Sequence, residues 1–569
     1  MPRHSASIVR RGALSAALLP ICLIAPACLA AAPAGFGFNY WPRHYQGCEA
    51  LTPAQWPAAR TAVAADLDQM KSLGASVVRL SLYMETSGFR PGPNVALEPD
   101  YCHHLPDLLT MVENAGLKTI IAFSNTYLYE HNNGQYYNWQ DPSLGYAGTQ
   151  DGYWRFTMHS KDWIDRMVAL AGVRDSILYY DIQNEYDSRA PEIDYYFRTI
   201  YSQSKIPPGK RGISILQSPF DVDPTAWRSV PRQLQAMPGA TLAYVEFHSY
   251  PTAPFDRCPL HGDIEAKYDE VRSRFAPGTQ VVLGEFGRPA LAQEDPDEEP
   301  GGYPTQCREL PADPDPDRRW DEPRQRATEL DLIGRAAAKG IPYFLHWMLW
   351  DDTPARLDFD PTNPRHQVYG YGYGPHAPKD VVGALAERYG LVANADFESA
   401  PTVGQPPQRW DAGSWNTVGS APAVLLFVSG GAGSGEAATG DHYARLQTQQ
   451  ACATCTIWMQ ADAFDIGPNR RLHFNAYLRS NLSGVQLKLV QYDANWNVLA
   501  VSAAPAFTPS GWSWNNYAVR FREQNPQLTP ASWSVTTAPG TARAILTVGG
   551  TPATAPALLD IDAVSVSAD

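Results

Sequence analysis

Two apolar runs in this chain each close on a glutamate. Tyr179-Tyr180-Asp181-Ile182-Gln183-Asn184-Glu185 ends in an amide and a carboxylate, and Gln280-Val281-Val282-Leu283-Gly284-Glu285 ends in a second carboxylate. A buried strand that finishes in this way delivers polar side chains to the mouth of a barrel. Two carboxyl groups sharing one cup are the minimum equipment for cleaving a glycosidic bond. One, protonated, donates to the leaving oxygen; the other, ionised, attacks the anomeric carbon, with about 5–5.5 Å between them. The chemistry therefore requires that both strands belong to one closed sheet.

The surrounding pattern supplies such a sheet. Strands are expected over 36–41, 76–82, 118–123, 177–184, 212–217, 242–247, 281–285 and 342–349. Helical spacing is expected over 53–73 (Val63, Leu67, Met70 and Leu73, closed by Gly74), 101–115, 161–171, 225–235, 264–275, 327–339 and 379–388. Strands alternating with helices describe a (β/α)8 TIM barrel over 33–389, with catalytic residues at the strand C-termini. After Tyr389 the composition shifts to Ser, Thr, Ala and Gly. Alternation replaces helical spacing, most clearly in Leu472-His473-Phe474-Asn475-Ala476-Tyr477-Leu478, with further strands over 486–492, 516–521, 542–548 and 559–566. Residues 390–569 thus read as an all-β sandwich, and the short link implies that it docks on the barrel.

The N-terminus reads as a signal peptide over 1–32. Arg3, Arg10 and Arg11 precede an apolar segment too short to span a bilayer, then small residues suited to cleavage. Ala25-Pro26-Ala27 before Cys28 is a poor match to a lipidation box. A secreted or periplasmic protein without a membrane span is expected, acting as a monomer. Six cysteines follow the leader, and an even count in an oxidising compartment suggests disulfides. The preferred pairs are Cys48–Cys102, Cys258–Cys307 and Cys452–Cys455, each joining neighbouring loops or one tight turn. The net charge of −14 argues against nucleic acid, since it offers no basic surface to release counterions. Sixteen Trp and 29 Tyr suit a protein that stacks rings on sugars, although many will be core. Between Pro289 and Pro323 lie eleven acidic residues, either a solvated insertion pinned at Cys307 or a lid beside Glu285.

Taken together, these strand ends resemble the glycoside hydrolase clan whose best-known member is family 5, the cellulases and mannanases. Gly35-Phe36-Gly37-Phe38-Asn39-Tyr40-Trp41 resembles that clan's first strand and Val77-Val78-Arg79-Leu80 its second. Asn184-Glu185 resembles the fourth, His248-Ser249-Tyr250 the sixth, Glu285 the seventh, and Phe344-Leu345-His346-Trp347 the eighth. The resemblance implies Glu185 as acid/base and Glu285 as nucleophile, kept ionised by Arg79 and the Tyr250 hydroxyl. It further implies Asn184 on the sugar 2-hydroxyl, His248 orienting the site and Trp347 as the floor beneath the reacting sugar. No metal or cofactor is implied for catalysis; the partner is a polysaccharide or oligosaccharide. Glu246 competes with His248 for the cup, because alternate residues of a strand share a face. Trp350, Asp351 and Asp352 either bind substrate or turn the chain, and Tyr127, Tyr129, Tyr136, Tyr137, Trp139 and Trp154 could line further subsites. Phe123-Ser124-Asn125 stands where many family members place a histidine. The sandwich resembles carbohydrate-binding modules grouped around family 4, which implies a structural calcium with Glu398 and Asp562 as candidates. Trp458, Trp496, Trp512 and Trp514 are the candidate sugar platform. A non-catalytic glycan-binding protein and a transglycosidase are the alternative functions.

Overall fold

The structure is a computed structural model that describes residues 35–42, 48–83, 102–124, 131–132, 135–136, 150–184, 191–215, 242–249, 264–287, 322–349, 380–392, 397–398, 403, 407, 409–415, 423–429, 442–506, 515–516 and 533–568. Eight parallel strands close a barrel. They are β1 (Phe36–Tyr40), β2 (Val77–Tyr83), β3 (Lys118–Ser124), β4 (Ile177–Asp181), β5 (Arg211–Ile215), β6 (Tyr244–Ser249), β7 (Gln280–Phe286) and β8 (Phe344–His346). Each pairs with its neighbours in chain order, and β8 returns to β1 with Phe36 opposite Phe344. The helices are α1 (Trp56–Ser72), α2 (Leu105–Asn114), α3 (Gln150–Ala171), α4 (Pro191–Gln203), α5 (Ile264–Arg274), α6 (Glu322–Lys339) and α7 (Asp380–Tyr389). The helix expected over 225–235 lies outside the described residues.

Several boundaries differ from the sequence reading, each for a local reason. α2 starts at Leu105 rather than at 101, because Cys102 sits at φ 56° and is bonded to Cys48. β4 stops at Asp181 rather than at 184: the Asp181 carboxylate accepts from the Gln183 amide at 3.2 Å and turns the chain. α3 begins at 150, ahead of the apolar stripe of Trp163, Ile164 and Met167 that marked its second half. α4 was not anticipated at all, although Tyr196, Phe197, Ile200 and Tyr201 are buried at helical spacing.

Alternation sorts the barrel strands into an outer and an inner face. Phe36 and Phe38 of β1, and Val78, Leu80 and Leu82 of β2, join the large apolar layer beneath the helices. Val77, Ile120, Tyr179, Val282 and Leu345 form a separate interior cluster. The polar inner residues Asn39, Arg79, Asp181 and Glu246 lie two positions further along their strands than Gly37, Val77, Tyr179 and Tyr244. Side chains on the inner face thus stack in levels, as a filled barrel requires.

The C-terminal part contains two antiparallel sheets. Their strands are β9 (Trp410–Trp415), β10 (Val424–Ser429), β11 (His442–Thr448), β12 (Thr456–Ala461), β13 (Phe464–Asp465), β14 (Arg471–Ser480), β15 (Ser483–Tyr492), β16 (Val498–Ala503), β17 (Asn515–Asn516), β18 (Trp533–Thr536), β19 (Arg543–Thr551) and β20 (Ala557–Ala568). One sheet runs β9-β12-β19-β15-β16 and the other β10-β11-β20-β14-β17, with β13 and β18 added beside β19 and β14. Leu472, Phe474, Ala476 and Leu478 face the sandwich core. The alternate residues of β14 are also buried, because α1 packs on that outer face, with α7 against the neighbouring β20.

The contact between the two parts is polar as well as apolar. The Ser72 and Ser565 hydroxyls meet at 2.7 Å, His473 Nδ1 lies 3.1 Å from Asp68, and Ser567 donates to the Lys71 carbonyl. Gln69 donates to the Tyr477 hydroxyl at 3.4 Å, and Tyr443 and Tyr477 belong to the barrel's own apolar layer. This explains why α1 buries Gln69, Lys71 and Ser72, while Asp66 accepts from the Tyr40 hydroxyl of β1 at 2.8 Å. Disulfides form between Cys48 and Cys102 and between Cys452 and Cys455, whereas Cys258 and Cys307 lie outside the described residues. Among the described residues no helix is long and apolar enough to cross a membrane.

Tyr477→Ala removes a fully buried ring from the barrel–sandwich contact. It is expected to lower the stability of the whole chain by about 3–5 kcal/mol, on the scale of other buried aromatic truncations. Denaturant titration checks this, and an unchanged midpoint would show that the two parts do not depend on that contact.

Candidate active site

Arg79 is the side chain around which the interior polar residues gather. It leaves β2 on the inner face, is fully buried, and meets five polar side chains, four by hydrogen bonds from its Nη groups and one by charge at Nε. Nη1 donates to Asn39 Oδ1 at 2.9 Å and to Glu285 Oε1 at 3.0 Å. Nη2 donates to Asp181 Oδ2 at 3.0 Å and to Asn184 Oδ1 at 2.6 Å. Nε pairs with Glu246 Oε2 at 3.0 Å. The partners come from β1, β4, β6, β7 and the turn after β4, so one guanidinium ties together strands from around the ring.

A register shift brings Glu285 to this point. Phe247 opposes Leu283 and His248 opposes Glu285, which leaves Gly284 as an extra residue on β7. Val282 faces the interior cluster while Leu283 and Phe286 face outward. The extra residue returns Glu285 to the inner side, where plain alternation would have sent it out. The bulge position must also be small: a Cβ on Gly284 would stand 2.2 Å from Glu246 Oε2. The Gly284 carbonyl accepts from Asn39 Nδ2 at 2.9 Å, which fixes the amide whose oxygen serves Arg79.

Glu285 is only 3% exposed. Its second oxygen lies 3.3 Å from His248 Nδ1, and His248 Nε2 meets the Ser214 hydroxyl at 3.0 Å. His248 Nε2 is 3.7 Å from Glu246 Oε2, so the ring sits between two carboxylates. Glu246 does not compete with His248 for a place. Both face inward, with Glu246 accepting from the Tyr179 hydroxyl at 2.7 Å.

Charge is distributed unevenly over this cluster. Burial alone would pull the Arg79 guanidinium down, but Glu246, Glu285 and Asp181 raise it well above its ordinary value, so it remains a cation. Burial likewise opposes ionisation of Glu246, and Arg79 outweighs it, aided by His248 and Tyr179, holding this carboxyl below the usual range. Asp181 goes the other way: burial and the neighbouring Glu246 push it well up against the pull of Arg79. Burial and Glu246 also raise the Tyr179 hydroxyl, which keeps it a donor.

Of the residues expected in the site, Arg79, Asn184, His248 and Glu285 converge. Trp347 follows β8, edge-on to Trp41 at 5.4 Å, and its amide donates to the Phe286 carbonyl at 2.7 Å. Glu185 and Tyr250 lie outside the described residues, as do Trp350, Asp351, Asp352, Tyr127, Tyr129, Tyr137, Trp139, Asn125 and the acidic stretch 289–321. Phe123 packs against Trp163 and Tyr180, away from the cup. Asn39, Tyr179, Asp181 and Ser214 were not singled out as site residues. Period-2 counting along β1 and β4 from Gly37 and Tyr179 would have found the first three.

The calcium expectation meets a different donor set. Glu398 spends both oxygens on His442, one on its amide and one on Nδ1, each at 2.9 Å. The Asp562 carboxylate caps the Ala563 amide at 2.7 Å. Among the described residues no group of three or more His, Cys, Asp or Glu side chains could hold a metal ion. No step below uses a calcium ion.

No protein-family model matches the chain, and no curated protein matches it. Among solved structures it is similar to an exo-β-1,4-mannosidase from Opitutaceae bacterium strain TAV5, with 18% identity over 60% of this chain and 56% of that one, at a TM-score of 0.38. A GH5_18 protein from Bifidobacterium longum subsp. infantis matches with 16% identity over 60% of this chain and 74% of that one, at a TM-score of 0.41. An endo-1,4-β-D-mannanase from Thermotoga petrophila RKU-1 matches with 14% identity over 59% of this chain and 92% of that one, at a TM-score of 0.36. The chain thus spans just over half the length of the exo-mannosidase.

Gly284→Ala tests the packing of the cluster. The new methyl must displace Glu246, with an expected cost of about 1–3 kcal/mol, the usual range for overpacking a filled site. Urea unfolding reads it, and wild-type stability would mean that the bulge tolerates a side chain.

Proposed function

We propose that this chain is a retaining glycoside hydrolase acting on β-linked polysaccharide or oligosaccharide by double displacement. The observation that carries the reading is the setting of Glu285: one oxygen on the Arg79 cation at 3.0 Å, the other 3.3 Å from His248, at the end of a barrel strand. The cation favours the ionised form of the carboxylate against the opposing effect of burial, and an ionised carboxylate shed of most of its water is suited to attack carbon.

In the first step Glu285 attacks the anomeric carbon while Glu185, the residue after Asn184, donates its proton to the departing glycosidic oxygen. In the second, water gives a proton back to Glu185 and its oxygen displaces Glu285. Asn184 gives its amide oxygen to Arg79, which turns its NH₂ into the group that donates to the sugar 2-hydroxyl. That contact strengthens as positive charge develops on the ring. Tyr250 supplies a hydroxyl to Glu285, and Trp347 forms the floor beneath the sugar.

The disulfides Cys48–Cys102 and Cys452–Cys455 suit an oxidising compartment, in keeping with export by the leader over 1–32. The sandwich is proposed to hold glycan through Trp496, which is 52% exposed. Its turn is fixed by the Asp493 carboxylate, which accepts from the Asn495 and Asn497 amides at 2.8 and 2.9 Å, and Arg543 lies 4.8 Å over the ring. Trp458 is only part-buried on β12, and Trp512 and Trp514 lie outside the described residues.

Purified full-length protein, screened against glucan, mannan, xylan and bacterial exopolysaccharide, is expected to release reducing sugar from at least one of them. Glu285→Gln should lower that rate by about 10³-fold or more while leaving the melting curve in place. The first-formed anomer by proton NMR should be β; an α product or a fully active Glu285→Gln would overturn the assignment. Trp496→Ala should weaken retention on the same insoluble polysaccharide by about three- to tenfold, as loss of one aromatic contact does. Unchanged retention would remove Trp496 from the binding surface.

A further inference from the structure

Arg79 has more carboxylates around it than the proposed reaction uses. Glu285 is the nucleophile of that reading, and Asp181 caps the turn that carries Asn184. Glu246 touches neither substrate position nor turn, yet it is fully buried and takes the one edge of the guanidinium that the others leave. A buried carboxylate is costly to keep unless it is paired, and the fold makes specific provision for this one. Gly284 leaves the space beside Oε2, and Tyr179 aims its hydroxyl at Oε1 from β4.

We propose that Glu246 is a positioning residue: by pairing with Nε of Arg79, it holds the guanidinium so that Nη1 and Nη2 face Glu285 and Asn184. The inference rests on the reading of Glu285 as nucleophile for its kinetic consequence, but not for its geometry. A guanidinium is planar, so fixing the Nε edge fixes the direction of both other nitrogens. Nothing else on the described inner face pairs with that edge. The charged and titratable groups facing Glu246 are Arg79 from β2, Tyr179 and Asp181 from β4, and His248 from its own strand; β7 offers Gly284 beside it and Glu285 across the guanidinium.

The sign of one measurement separates this role from a purely electrostatic one. Glu285 must be ionised to attack, so activity falls on the acid side as its carboxylate takes up a proton. Deleting the negative charge of Glu246 and changing nothing else would ease ionisation of Glu285, moving the acidic limb of kcat/KM to lower pH. Releasing Arg79 from Glu285 would hinder ionisation and move that limb to higher pH.

The experiment uses the full chain with Glu246→Gln. The substitution keeps size but removes the negative charge that pairs with Arg79 Nε and leaves a single acceptor oxygen for Nε and the Tyr179 hydroxyl. The crystal structure of the variant should show the guanidinium turned and the contact from Nη1 to Glu285 Oε1 lost. The kinetic probe is whichever of 4-nitrophenyl β-glucoside, β-mannoside and β-xyloside the wild type cleaves fastest. On it kcat should fall about tenfold or more with KM within about twofold, and the acidic limb should rise by about one pH unit. Tyr179→Phe, which loses a single hydroxyl, should move the limb in the same direction by less and covers the case in which Glu246→Gln does not fold. An unmoved guanidinium, a limb shifted to lower pH, or a lowered melting temperature with an unchanged pH profile would each overturn the proposal. Retained activity in Glu285→Gln would instead overturn the assignment of the nucleophile, and the crystal structure would still decide the position of Arg79.

Discussion

A guanidinium taken wholly out of water is the constraint on which the interior of this barrel depends. Removing water from an ion costs several kcal/mol, and only close, well-aimed opposite charges recover it. Arg79 meets that demand with three carboxylates and two amides drawn from β1, β4, β6, β7 and the turn after β4. Each strand must therefore arrive at one height and with its polar residue inward. The same requirement leaves Glu285 tightly held, because the nucleophile of the proposed reaction is also a structural counter-ion.

Local devices adjust the regular barrel to this need. The extra residue at Gly284 turns Glu285 inward and brings it opposite His248. The Asp181 carboxylate ends β4 by accepting the Gln183 amide and the Ser214 amide, at 3.2 and 2.9 Å, so the chain turns just before Asn184. Outside the barrel, α1 carries Val63, Leu67 and Met70 toward the strands and Asp68, Gln69 and Ser72 toward β14 and β20. The sandwich thereby covers a helix face that would otherwise meet water. Binding and support are not exclusive roles for it, since β14 and β20 do the packing while Trp496 stands on the other sheet's turn.

Much of this was legible from residue types. The strands, the order of helices and the glutamate at the end of β7 follow from period-2 and period-3.6 patterns, and the motif residues Arg79, Asn184, His248 and Glu285 do meet. What escaped reading has physical causes. A bulge inverts alternation without any marker except a glycine, so Glu285 was placed correctly by its strand end and not by its parity. Glu246 looked like a rival of His248 because a sequence shows a shared face but not depth along the barrel axis. α4 was hidden because Tyr195 and Tyr196 fit a strand or a helix equally well. Alternation over 472–478 sets His473 and Tyr477 opposite Leu472 and Phe474, but a pattern cannot say which face a second domain will cover. Glu185 was read from the chain alone, beside an Asn184 whose amide does reach Arg79.

The central claim is that Glu285 forms a bond to sugar carbon, and covalent trapping tests it most directly. The full-length protein would be incubated with a 2-deoxy-2-fluoro aryl β-glycoside matched to its preferred substrate, then digested and read by peptide mass spectrometry. The account predicts one added fluorosugar, carried by the peptide that contains Glu285, with activity lost in step. A sugar found on another carboxylate, or turnover of the parent glycoside with no trapped adduct at any concentration, would contradict it.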